Sequence, residues 1–422
     1  MKVPSLKTNR NPGLRRTVAS AAALLSMIAV PGAPASAQVP AGTSWAGSSW
    51  TGSSWTPDLA PDADDTGVSA TDGELRLDPA TAVREVSTGS PRLQGMLLTA
   101  QHELADPTTR VAADLVVDLP PGTEVLVDVR GQRADGGWTE WIPAAPGAPA
   151  ELEAPGRTVQ ARLMLLAGDA GASPVVRSLH LTADLAAGLL VGPSARVADT
   201  FRVFATREGL VGGTTANGHV IRPHDHFVAL PSRRGLAPRD TGDYTVKVCA
   251  DNGRCEWAPV WDVGPWNVTD DHWNPPERRE SWRDLATGLP QAQAAFVDGY
   301  NGGRDQFGRQ VGNPAGIDLG DGTFLDGLGL EDNSWVTASY LWTDSGPTAV
   351  VRAPLLDVRD GPSTASTAVG LAAEHARVVV ECVAVGEPVS GSQGVSERWL
   401  RLGPGQFVSA ASVSVGPDVS PC

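Results

Sequence analysis

The 422-residue chain carries 33 Lys and Arg against 48 Asp and Glu, with 47 Gly, 34 Pro and 13 Trp. That much Gly and Pro excludes a coiled coil, and beyond the first 40 residues no apolar run approaches the roughly 20 residues of a helical membrane span. The length suits about two to four domains.

Residues 1–37 read as an export signal. Lys2, Lys7, Arg10, Arg15 and Arg16 precede the apolar run from Val18 to Val30, and Ala35-Ser36-Ala37 supplies a cleavage site. The run is too short for a membrane anchor. Arg15-Arg16 permits twin-arginine export, but the following residues suit the general route better. Cleavage leaves 28 basic and 48 acidic residues, a net charge of −20. That balance argues against nucleic acid and, after signal removal, against a membrane surface as partners. Residues 38–72 read as a disordered leader and linker holding three Gly/Ser pentads with Trp45, Trp50 and Trp55. A row of indoles that adheres to polysaccharide is the alternative.

From 73 to 184 the pattern is strand-like. Val111 to Leu119, Thr123 to Val129 and Val159 to Leu166 are strand-length runs separated by Pro-Pro-Gly, Ala-Asp-Gly-Gly and Ala-Pro-Gly turns, which predicts a β-sandwich. A second β-rich block spans 190–344. In it Cys249 and Cys255 flank a turn, Ala-Asp-Asn-Gly-Arg, and are expected to staple a hairpin. Residues 269–313 form an aromatic insertion with Trp273, Trp282, Phe296, Tyr300 and Phe307 and a short helix from Gln291 to Asp298. Such an insertion is expected on the surface, as a wall of a cleft. A third block, 348–422, begins after Ser345-Gly346-Pro347, which reads as a linker, and pairs Cys382 with Cys422.

Other chemistries find little support. His224 and His226 with Asp225 lack a further ligand nearby in sequence, so no metal site is expected. The four Cys are committed to disulfides and leave no thiol nucleophile. No G-x-S-x-G elbow is present, and Gly212-Gly213 is not followed by Lys-Ser or Lys-Thr, so neither a serine esterase of that type nor a phosphate loop is expected. No cofactor is implied. Seven of the 13 Trp fall in the central block, a density suited to stacking on sugar rings. Strand alternation puts Trp261 in the core, whereas Trp266 and Trp273, beyond a Gly-Pro turn, are the platform candidates.

Three resemblances sharpen this reading. "PPGTEVLVDVRGQ", "GGWTEWIP" and "VQARLMLL" resemble the β-sandwich that precedes the working domain in many secreted actinobacterial wall proteins. "TTANG", "FVALP", "VWDVGPW" and "NPAGIDLGDGTF" follow in the order found in double-psi β-barrels of the rare lipoprotein A and expansin kind. "LLDVRDGPSTASTAVG" with Trp399 and Val408 resembles a bacterial Src-homology-three domain, with Asp357 at a position usually Asn. The barrel resemblance implies Asp262 and Asp318 as the acidic residues of a groove and Asn217 as a substrate contact, before a final strand from Trp335 to Trp342. The C-terminal resemblance implies wall binding, with Trp399 as a contact. A carboxylic acid with a raised pKa can protonate a glycosidic oxygen. Two carboxylates support hydrolysis; one suffices for a lytic transglycosylase, because muramic acid's own hydroxyl can attack. The expectation is an all-β, multidomain, exported protein that binds, and remodels or cleaves, peptidoglycan or a related wall glycan. The alternative is a non-enzymatic wall-binding adhesion or scaffold protein.

Overall fold

The computed structural model describes residues 52–84, 92–168, 171–184, 196–416 and 419–422. The export signal, Trp45 and Trp50 lie outside them. The described chain is nearly all β, and among these residues no helix is long and apolar enough to cross a membrane.

The first block is one antiparallel nine-stranded sheet around its own apolar core, which includes Leu75, Leu97, Val111, Leu163 and Leu179. Its long strands are His102–Asp118 and Ala150–Leu166. The last strand, Val175–Asp184, alternates buried and more exposed residues, as a half-covered sheet requires. Residues 52–72, which read as leader, belong to this sheet. Ser54–Trp55 pairs with Thr182 and Leu181, and the Trp55 ring stacks on His102 at 4.3 Å. Val68–Thr71 forms a hairpin with Glu74–Leu77. The indole and the free sheet edge together supply what the Gly and Ser residues lack.

The central block is a closed six-stranded barrel. Its strands are β1 (Asp199–Glu208), β2 (Val228–Leu230), β3 (Thr245–Ala250), β4 (Cys255–Val263), β5 (Ala315–Gly320) and β6 (Ser334–Tyr340). The short strand β2 closes it, lying parallel to β4 and antiparallel to β5. β1 runs parallel to β5 and antiparallel to β6, and β3 pairs with both β6 and β4. The β3–β4 hairpin turns at Gly253, whose φ of 87° suits glycine, and Cys249–Cys255 staples it across the ladder. The second disulfide is Cys382–Cys422.

The insertion meets the expectation of a surface wall only in part. Its helix α1 spans Gln291–Asp298, as read from sequence. Its first part, however, folds inward around two buried ion pairs, Arg279–Asp270 and Arg234–Asp271. Its inward face meets the first block at Glu140, a fully buried carboxylate that accepts hydrogen bonds from Trp273 Nε1, Asn274 Nδ2 and Trp342 Nε1. Trp141 Nε1 donates to Leu236 O, and Tyr244 Oη donates to Thr139 O, so the same seam continues along the barrel.

Nor does the Ser345-Gly346-Pro347 segment detach the third block. Residues 255–257 of β4 pair in parallel with 370–372, which extends the barrel sheet into the strands Leu355–Arg359, Ala368–Ala373, Cys382–Gly391, Gly394–Gly403 and Gln406–Ser409. Trp257 and Leu341 from the barrel side belong to the C-terminal core, with Val358, Leu400 and Val408.

Candidate functional site

Asp262 and Asp318 are brought together by the closure of the barrel. Ala229 of β2 pairs with Asp262 on one side and with Asp318 on the other, so the two aspartates lie in one cross-strand row about 10 Å apart along the sheet, two strand spacings. Thr206 of β1 continues the row opposite Asp318. Its hydroxyl donates a hydrogen bond to Asp318 Oδ1.

The two carboxyls then differ in access. Asp262 is 0% exposed, and its Oδ1 accepts from the backbone N–H of Ala216 at 2.7 Å and of Val263 at 2.8 Å. Asp318 is 8% exposed and lies in the wall of a pocket of about 290 Å³. Thr206 and Arg207 from β1, Pro265 and Trp266 after β4, Arg309 and Asn313 from the insertion, and Asn333 complete that pocket. Among these described lining residues, Asp318 alone carries a carboxyl. Burial pushes its pKa up to about 7; the nearby charge of Asp262 pushes the same way and the Thr206 bond opposes both. At neutral pH the pocket therefore holds an acid that is part protonated and able to donate.

Trp266 forms a second wall. Its φ of 63° is unusual for so bulky a residue, and strain of this kind concentrates at working sites. Two contacts hold it: Nε1 donates to Asn313 Oδ1 at 3.0 Å, and Arg309 donates to the Trp266 carbonyl at 2.8 Å while its guanidinium lies 5.8 Å from the ring centroid. Of the expected platforms, this one lies beside the acid.

The other expected contacts are internal. Trp273 is 1% exposed and stacks on Tyr340 at 4.9 Å, so its ring supports the barrel and cannot meet a sugar. Asn217 is buried in its own turn: Oδ1 accepts from Thr215 Oγ1 and from the N–H of His219, and Nδ2 donates to Ala237 O. Trp399 is 2% exposed and donates to Glu387 O, as a core residue of the C-terminal block. Trp261 is in the barrel core, as alternation implied.

The polar side chains of the His224-Asp225-His226 segment each have a partner within the barrel. His224 meets Asp326, His226 meets Glu256, and Asp225 pairs with His219. Among the described residues no group of His, Cys, Asp and Glu is arranged to hold a metal ion.

One site residue escaped the sequence reading. Glu208, at the end of β1, is 3% exposed and sits among Asp262, Asp318 and Asp321, which together with burial hold its pKa well above the ordinary value. In parallel register it pairs with Gly320, two residues beyond the Thr206–Asp318 pair and on the same face.

A family model described as a domain of unknown function (DUF8814) matches residues 199–339, a span that takes in Glu208, both aspartates and Trp266. No curated protein matches the chain.

Proposed function

We propose that this is an exported wall protein whose barrel binds a peptidoglycan-type glycan and cleaves it with one acid, Asp318. The observation that carries this reading is a single buried carboxyl, Asp318, in the lining of a pocket walled by Trp266. A hydrolase that uses two carboxyls needs both to face the scissile bond, and Asp262 does not line the pocket. One-acid chemistry is therefore the better fit. Asp318 gives its proton to the glycosidic oxygen as the C1–O bond breaks, the substrate's own hydroxyl closes on C1, and that hydroxyl's proton returns to Asp318. Trp266 stacks on a sugar face and keeps water from the bond.

By resemblance to the rare lipoprotein A and expansin barrels, the groove is the glycan site. By resemblance to the bacterial Src-homology-three domain, the C-terminal block holds the protein to the wall. The parallel β1–β5 and β2–β4 pairs, within an otherwise antiparallel barrel, fit the double-psi reading.

The test is incubation of the mature protein with purified peptidoglycan and mass spectrometry of what is released. Anhydro-muramyl ends support the proposal, and Asp318→Asn should lower their release by roughly 100-fold or more. Reducing ends would indicate a hydrolase instead. Retention on the wall with no release would make the protein a non-enzymatic binder.

A further inference from the structure

Glu208 is a buried acid with no counter-charge among the described residues. Three acidic residues face it: Asp262 from β4, Asp318 from β5 and Asp321 from the turn after β5. The nearest cation on its own strand, Arg207, is paired with Asp321 at 2.7 Å. Among the described residues no N–H or O–H reaches Glu208 Oε1 or Oε2, whereas the Asp262 carboxyl lies within hydrogen-bonding reach. An ionised carboxylate there would have neither solvent nor donor nor cation, so the stable form is the neutral acid with its own proton to donate.

We propose that Glu208 stays protonated and donates its O–H to Asp262, and that by holding Asp262 anionic beside Asp318 it is a positioning residue for the pocket acid. The protonation rests on the burial of Glu208 and on its two carboxyl oxygens, which no donor reaches among the described residues; only the link to turnover rests on the proposed function. The Asp262 anion is then held from several directions. Oδ1 takes the backbone N–H groups of Ala216 and Val263, and Glu208 supplies a side-chain donor. A negative charge at roughly 10 Å or less, at an effective dielectric near 20, raises a neighbouring acid by roughly one pKa unit or more. Without the Glu208 donor, Asp262 takes up a proton more readily and that push on Asp318 is lost.

The experiment has a spectroscopic arm and a titration arm, neither of which needs turnover. Near pH 10, Asp318, with its midpoint at about 7, and Glu280, which burial pushes up to about 8, are both ionised. Infrared spectra of the full mature chain should still show a buried carboxylic acid carbonyl band, absent from Glu208→Gln. A wild type without that band, or a variant that keeps it, overturns the assignment. In the second arm, carbon NMR follows the Asp318 carboxyl with pH. Glu208→Gln, whose amide still donates, should leave the midpoint in place, and Glu208→Leu should lower it by roughly one unit. If Glu208→Leu does not fold, Glu208→Ala serves as the variant without a donor: a folded variant whose midpoint stays at the wild-type value, or a Glu208→Gln midpoint displaced by the full unit, overturns the positioning role. If both arms come out as expected and no glycan is released, the proton-sharing pair stands and the proposed cleavage falls.

Discussion

Replacing Asp318 with Asn removes a carboxyl that folding disfavours in its charged form. On folding its pKa moves from 3.8 to about 7, first through burial and then through the charge of Asp262. Between those values the folded chain keeps a proton that the unfolded chain has released. The associated stability is thus fully present below about pH 3.8 and is lost as the pH rises through about 7. At 1.36 kcal/mol per pKa unit, the loss is about 4 kcal/mol when complete, of which about 2 to 3 kcal/mol falls between pH 5 and 8. Asn has nearly the same shape and still accepts from Thr206, but it does not titrate. Urea unfolding of wild type and Asp318→Asn at both pH values reads the difference directly: relative to wild type, the variant should gain about 2 to 3 kcal/mol on going from pH 5 to pH 8. Stability curves that run parallel over that interval would refute the reasoning, because they would mean that the carboxyl is not desolvated. Glycan release by the wild type should decline in the same direction, about tenfold per pH unit above 7, as the acid loses its proton.

Trp266→Ala should weaken retention on glycan strands freed of their stem peptides in a pull-down, with little change in melting temperature, whereas Trp273→Ala should lower stability by roughly 3 to 5 kcal/mol, read by urea unfolding, because its ring fills the seam under Tyr340. Cys382→Ser with Cys422→Ser opens a loop with a sequence separation of 40 and should cost about 4 kcal/mol in the same measurement. Deleting residues 348–422 should leave a barrel that aggregates in size-exclusion chromatography, since Trp257 and Leu341 lose their cover; a monodisperse, folded product would contradict this.

Local patterns made much of the fold legible. The disulfide flanking a turn, the helix Gln291–Asp298, the alternation around Trp261 and the two strand segments bearing Asp262 and Asp318 are all short-range features. Glu208 was hidden because it ends a strand, in "FATREGL", where a charged residue ordinarily faces water. Its burial arises from β2 closing the barrel between β4 and β5, residues far away in sequence. Trp273 and Trp399 show the complementary difficulty. An indole suits a sugar platform and a core equally well, and only the inward fold of the insertion around Arg279 and Asp270, or the donation from Trp399 to Glu387 O, decides between them. The final strand ends at Tyr340 rather than at Trp342, whose Nε1 turns instead to Glu140.

The parallel ladder between residues 255–257 and 370–372 bears on how such a protein can change over generations. Multidomain proteins are often pictured as interchangeable cassettes, exchanged at flexible joints where neither neighbour notices the swap. Here the joint is a weld. A β-carbon at Gly370 would fall 2.2 Å from the carbonyl oxygen of Cys255, so an incoming cassette must offer a strand of the right direction with a glycine at that register. Variation is therefore easier at the far rim, along Val385 and Val395, than by replacing the whole C-terminal block, because those exposed positions can drift while the seam that completes β4 is inherited intact.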